Sequence, residues 1–92
     1  MSKGPKSDFE LYVINKVKEK RVALGMSQDD LSELIDADRS FIGQVESPNN
    51  PAKYNLNHLN MIAMGLGCSP KDFIPESPIP EVLRKKARPK RF

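Results

Sequence analysis

Ser27-Gln28-Asp29-Asp30-Leu31-Ser32-Glu33-Leu34-Ile35-Asp36-Ala37-Asp38-Arg39-Ser40-Phe41-Ile42-Gly43-Gln44-Val45-Glu46 is the stretch whose reading decides the fold. It divides into two short helices around a tight turn. Ser27 is a good N-cap, because its hydroxyl can accept from an N–H that the first helical turn leaves unpaired; Asp30, three positions on, can complete a capping box. Leu31, Leu34 and Ile35 then share one apolar face at helical spacing. The pattern breaks at Asp36-Ala37, and Asp38 offers a second N-cap. Beyond it Phe41, Ile42 and Val45 recur at helical spacing, while Arg39, Ser40, Gly43 and Gln44 fall mostly on another face. Two short amphipathic helices around a turn of about three or four residues are the sequence form of a helix-turn-helix.

Upstream, Ser7-Asp8-Phe9-Glu10 is a further capping box. The helix it opens is expected to run to about Ala23. Phe9, Val13, Val17 and Leu24 form its buried stripe, and Lys16, Lys18, Glu19 and Lys20 its wet face. Gly25 suits the stop. Arg21 stands on the same surface as Val17 and Leu24, which draws its guanidinium inward. Downstream, Ser47-Pro48-Asn49-Asn50-Pro51-Ala52-Lys53-Tyr54 is a loop, since two prolines and paired asparagines oppose helix. Asn55 caps a fourth helix over Leu56 to Leu66, with Leu56, Leu59, Ile62, Ala63 and Leu66 as its stripe. Gly67 ends it, and Ser69-Pro70 starts one more turn containing Phe73 and Ile74. The expectation is therefore all-α, with five helices within residues 8–74. Residues 1–6 read as disordered, 7–75 as the folded domain, and 76–92 as a Pro-rich linker with a flexible basic tail.

The chain has 92 residues, enough for one domain with a small core. A hydrophobic content of 38% places it among folded rather than disordered chains. No run approaches the ~18 apolar residues of a membrane span, and the N-terminus lacks the apolar core of a signal peptide. One cysteine, Cys68, excludes an internal disulfide and fits a reducing cytosol, so a cytoplasmic location is expected. The net charge of +3 is unevenly placed: residues 1–75 carry nine basic and ten acidic side chains, whereas residues 76–92 carry six and two. The basic excess lies wholly in the tail, which points to an anionic partner.

The pattern Arg21, Gly25, Ser27-Gln28, Leu31, Ile35, Arg39-Ser40, Ile42, Val45-Glu46, Leu59, Ile62-Ala63, Leu66-Gly67 resembles the phage-repressor and Cro-like (XRE-type) helix-turn-helix family. The likeness covers about Val13 to Ile74, and its specificity comes from register across four helices rather than from any one position. It implies a five-helix repressor-like domain that binds double-stranded DNA, commonly as a homodimer. The second motif helix, residues 39–46, would lie in the major groove. Arg39, Ser40 and Gln44 match positions that reach base edges: Arg suits the two acceptors of guanine, and Gln the acceptor–donor pair of adenine. Gln28 matches a glutamine that grips phosphate at a helix N-terminus, and Lys53 and Phe41 are assigned to phosphate beside it. Arg21 and Glu46 match a pair that forms a buried salt bridge behind the motif.

Three departures from that family stand out. Asp36 occupies the turn where glycine is common, and aspartate tolerates positive φ better than most residues. Ser32 takes the place of a small residue, often alanine, between the motif helices. Gly43 sits inside the second motif helix, where it costs ~1 kcal/mol against alanine; either it has drifted or it lets the helix approach DNA closely. Charge is a further difficulty, since residues 27–46 hold six acids and one base. Phosphate attraction must then come from Lys53, from Lys3 and Lys6, and from the tail residues Arg84, Lys85, Lys86, Arg88, Lys90 and Arg91.

The function expected is sequence-specific regulation of transcription. The alternative is a protein-interaction module, such as the antitoxin of a toxin–antitoxin pair, with a protein partner held by the tail through Val82, Leu83 and Phe92. An enzyme is not expected, because nucleophilic or acid–base chemistry needs a base beside a nucleophile. The single histidine, His58, reads as a solvated helix residue, and Cys68 as a small buried filler. One Cys and one His make no structural zinc site, the aspartates lack calcium-loop spacing, and Gly65-Leu66-Gly67 lacks the dinucleotide pattern; no metal or cofactor is expected.

Overall fold

Helix boundaries in this protein fall where side chains or left-handed residues satisfy backbone groups that a helix end leaves unpaired. The computed structural model describes residues 4–81. It contains α1 (Asp8–Ala23), α2 (Gln28–Leu34), α3 (Phe41–Glu46), α4 (Leu56–Leu66) and a 3-10 turn, η1 (Pro70–Phe73). Among the described residues there is no strand, and no helix is long and apolar enough to cross a membrane. Reciprocal capping boxes open α1 at Ser7 and Glu10, and α2 at Ser27 and Asp30. Asn55 opens α4, where the box is completed by His58, whose Nδ1 accepts from the Asn55 N–H at 3.1 Å.

Three helix ends share one device. After α1, α2 and α4 the chain turns through Gly25, Asp36 and Gly67 at φ of 70°, 55° and 71°. In each case the next N–H reaches back to the carbonyl five residues earlier: Met26 to Arg21, Ala37 to Ser32, Cys68 to Ala63. These are Schellman closures, which need a residue that accepts the left-handed region. Glycine does so freely. Asp36 supplies the same geometry in the motif turn.

The expected fifth helix is corrected to a single 3-10 turn, leaving four α-helices among the described residues. The start signals are sound: Ser69 Oγ accepts from the Lys71 N–H, and the Asp72 carboxylate accepts from the Ser69 N–H. Elongation fails because Ile74 precedes Pro75, whose ring disfavours α backbone in the residue before it. Ile74 is accordingly extended, at φ −105° and ψ 134°. The turn still buries Phe73, which is 1% exposed at the base of the core.

The core joins Val13 and Val17 of α1, Leu31 and Ile35 at α2, Ile42 of α3, Leu59, Ile62, Ala63 and Leu66 of α4, and Phe73. Three residues expected inside lie out. Leu24 follows the last turn of α1, Leu34 lies over Gly65, and Leu56 is at the wet start of α4; they are 52%, 45% and 83% exposed. Leu66 and Phe73 are core residues.

Ser32 does more than fill the gap between α2 and α3. Fully buried, its hydroxyl accepts from the Ile42 N–H at 3.3 Å. Ser40, at the N-cap position of α3, makes no side-chain cap bond. Asp38 contributes its carbonyl, which accepts from the Phe41 N–H at 2.9 Å. Helix α3 is thus capped partly from its neighbour. Ser32→Ala is expected to destabilise the domain by about 1–2 kcal/mol, the cost of stranding a buried N–H. Urea denaturation measures this; unchanged stability would mean that the Ile42 N–H has another acceptor.

Candidate nucleic-acid interface

Six residues do not make a self-sustaining helix, so α3 depends on what surrounds it. Behind it, Arg21 and Glu46 form a two-pronged ion pair: Nε donates to Oε2 at 2.9 Å and Nη2 to Oε1 at 2.8 Å. Their side chains are 9% and 3% exposed. Each partner makes one further bond nearby. Arg21 Nη1 donates to the Met26 carbonyl at 2.7 Å, and Gln28 Nε2 donates to Glu46 Oε1 at 2.9 Å. At the same C-terminal end of α3, Lys6 directs its ammonium onto the carbonyls of Val45 and Ser47. Lys6 is therefore part of the folded unit and is turned into the protein, not towards a phosphate.

The outward side of the motif carries the residues expected to read DNA. Helix α3 begins at Phe41, so Arg39 and Ser40 lie in the turn ahead of it rather than inside the helix. Arg39 Nε donates to Asp29 Oδ2 at 2.8 Å, an exposed pair that bridges α2 and the turn. Gln44 Nε2 donates to Ser40 Oγ at 3.3 Å. Arg39, Ser40 and Gln44 are all exposed.

Gly43 has a local explanation. A Cβ added there would stand 3.1 Å from Gln28 Oε1. The missing side chain leaves room for Gln28 to lean across α3 and reach Glu46. The glycine therefore has a role within the fold, beside the two readings that the sequence offers. It also means that Gln28 is oriented by the same carboxylate that holds Arg21.

The other residues assigned to phosphate are engaged elsewhere in the fold. The Phe41 ring packs on His58 at 4.7 Å between centroids and edge-on to Tyr54 at 6.1 Å. His58 is thus half-buried against an aromatic ring, not a solvated helix residue. The Tyr54 hydroxyl is buried with no hydrogen-bond partner among the described residues. Burial, helped by the Glu46 carboxylate and opposed by Arg21, pushes its pKa well above that of an ordinary phenol. Lys53 Nζ sits 3.0 Å from Glu10 Oε2. Burial alone would raise the Glu10 carboxyl, but the Ser7 N–H and the Lys53 ammonium outweigh it and hold the pKa below the usual value. The tail cations Arg84, Lys85, Lys86, Arg88, Lys90 and Arg91 lie outside the described residues, as does Lys3.

Several of the motif's acids are occupied. Glu46 is buried in its ion pair, and Asp29 is bound to Arg39. Asp30 caps α2, and the Ser27 N–H lowers its pKa. Two contacts around the motif had no signal in the sequence. Asp29 reaches Arg39 only across the turn, and Lys6 reaches α3 across 39 positions of chain. His58 was findable, since Asn55 and His58 have capping-box spacing. Among the described residues no group of three or more His, Cys, Asp or Glu side chains converges on a metal-sized site.

Two short helices joined by a left-handed corner, the second braced from behind with polar side chains outward, define a helix-turn-helix DNA-binding domain. The chain belongs to the Cro/C1-type helix-turn-helix DNA-binding domain family, whose model matches residues 16–75. No curated protein matches the chain in sequence. Among solved structures, a hypothetical transcription factor from Neisseria shares the fold at 22% identity, with a TM-score of 0.66 over 74% of this chain and 76% of that one. The restriction-modification controller protein C.AhdI from Aeromonas hydrophila is 29% identical over 70% of this chain and 96% of its own, with a TM-score of 0.60. A variant of the controller protein C.Esp1396I is 31% identical over 74% of this chain and 84% of its own, with a TM-score of 0.63.

The ion pair behind α3 carries a stability prediction. Arg21→Met alone is expected to cost about 3–5 kcal/mol, because it strands a buried carboxylate. The double variant Arg21→Met/Glu46→Leu should recover most of that loss, since neither charge is then buried unpaired. Denaturation of the three variants tests this; a single variant as stable as the double would remove the pair from its bracing role.

Proposed function

We propose that this protein is a transcriptional regulator that reads its operator with the outward side of α3 and the turn before it. The family assigns it to sequence-specific binding of double-stranded DNA. Within that class, Arg39 is proposed to contact guanine, Gln44 adenine, and Ser40 either. Gln28, Lys53 and Phe41 are proposed to lie along the phosphate backbone. One observation carries the reading: α3 is fixed by Arg21–Glu46 and Ser32 on its inner side, while Arg39, Ser40 and Gln44 stand exposed on the other. A helix held by its back presents a fixed face, as groove recognition requires.

The likeness to two controller proteins supports a finer proposal, control of a restriction-modification system, and C.Esp1396I has been captured as a nucleoprotein complex. One α3 reaches too few bases for an operator of useful specificity, so a homodimer on a two-fold symmetric site is part of the proposal. A cytoplasmic location follows from the same reading. The alternative of a protein partner held by the tail rests on residues outside those described.

Selection of bound duplexes from a random pool tests the proposal. A defined motif is expected, and on the selected duplex Arg39→Ala should weaken binding by about 1–3 kcal/mol and relax the preference at one base pair. A pool that yields no motif would turn the reading towards a protein-interaction module. Removing residues 76–92 should flatten the dependence of log K on log salt, by about 0.9 for each phosphate the tail neutralises. An unchanged slope would take the tail out of DNA binding.

A further inference from the structure

We infer that Lys6 is a positioning residue for DNA reading, holding the C-terminal turn of α3 at the angle from which Gln44 reaches the groove. The inference rests on the reading of α3 as the recognition helix and goes beyond it, because Lys6 lies outside the motif and ahead of α1. Its side chain is 1% exposed, among the largest fully buried groups in the protein. The ammonium donates to the carbonyls of Val45 and Ser47 at 2.5 Å each, and to that of Gln44 at 3.4 Å. Carbonyls in the last turn of a helix lack partners within it and carry its negative pole, so a cation fits there electrostatically and geometrically. Burial draws the ammonium pKa below that of an ordinary lysine; the Glu10 carboxylate opposes this and Lys53 adds to it.

Its position in the chain gives the contact its leverage. Lys6 immediately precedes Ser7, the N-cap of the longest helix. The bonds therefore tie the start of α1 to the end of α3, where Arg21–Glu46 secures only one side chain. Gly4 follows the same course, since a Cβ there would meet the Pro48 carbonyl at 3.6 Å. One of the carbonyls held belongs to Gln44, whose side chain is a proposed reader. Lys6 thus acts through α3 and touches no base or phosphate itself.

Lys6→Met removes the ammonium and keeps an unbranched apolar stem. Without DNA, amide hydrogen exchange should quicken in α3 and Ser47–Asn50 by at least about tenfold, with α4 unchanged. On the duplex selected by the wild-type chain, affinity should fall about tenfold, as expected for one displaced base contact. Binding to an unrelated duplex of equal length should hold, as should the salt slope. A slope reduced by about one phosphate would mean that Lys6 neutralises DNA directly, and would overturn the inference. Equal loss of protection in α3 and α4 would overturn it too, as the mark of a merely structural residue. Lys6→Cys in a Cys68→Ser background, aminoethylated while unfolded, restores an ammonium at nearly the same reach and should rescue both readouts. Should Lys6→Met fail to fold, Lys6→Gln keeps a donor without the charge and takes the same measurements. The exchange experiment needs no operator, so its result stands whether or not a duplex is selected.

Discussion

A guanidinium and a carboxylate, both nearly removed from water, hold this domain's geometry together. Desolvating such a pair is costly, and the cost is offset only when the geometry is good and every remaining donor and acceptor is satisfied. Arg21 and Glu46 have the geometry, with two hydrogen bonds between them, and each gains a further partner: Arg21 donates a third bond to the Met26 carbonyl, and Glu46 accepts one from Gln28. The partners lie on α1, on the α1–α2 junction, on α2 and on α3. One polar network therefore sets how three helices meet. The apolar core below it, with Ile42, Leu31 and Val17 each fully buried, supplies the adhesion but is less exacting about angle.

Much of this could be read from the sequence wherever the cause was local. Ser7 with Glu10, Ser27 with Asp30 and Asn55 with its helix mark starts, because a cap and its N–H groups lie within three residues of each other. Gly25 and Gly67 mark stops, and Asp36 marked the motif turn because few residues take positive φ. The inward turn of Arg21 was legible from phasing, while its partner Glu46 came only with the family resemblance. What escaped was non-local or depended on competition between signals. Nothing near Lys6 announces a partner 39 residues away. The turn at Ser69 begins like a helix, and only the effect of Pro75 on Ile74 decides that it stops after one turn.

The electrostatics of the interface follow from which charges are already engaged. The motif looks hostile to phosphate by count, yet Glu46, Asp30 and Asp29 are each occupied by a specific donor. The Asp29–Arg39 pair is the weakest of these attachments, because both side chains are largely in water, where such a bridge contributes little. Arg39 is thereby held near the turn without being locked there. Exchange of the aspartate for the two guanine acceptors proposed for Arg39 would meet only a small opposing energy.

The shortness of α3 has a consequence for how such a protein changes over generations. Its six residues draw their shape from Ser32, Glu46 and Lys6, none of which faces outward. Positions 39, 40 and 44 carry almost no folding duty, so mutation can rewrite them without threatening the scaffold. Gly43 is the exception, because any side chain there crowds Gln28. On the proposal that these three positions read the operator, its preference can diverge quickly among descendants of one gene. A duplicated copy could acquire its own DNA target before losing the ability to fold.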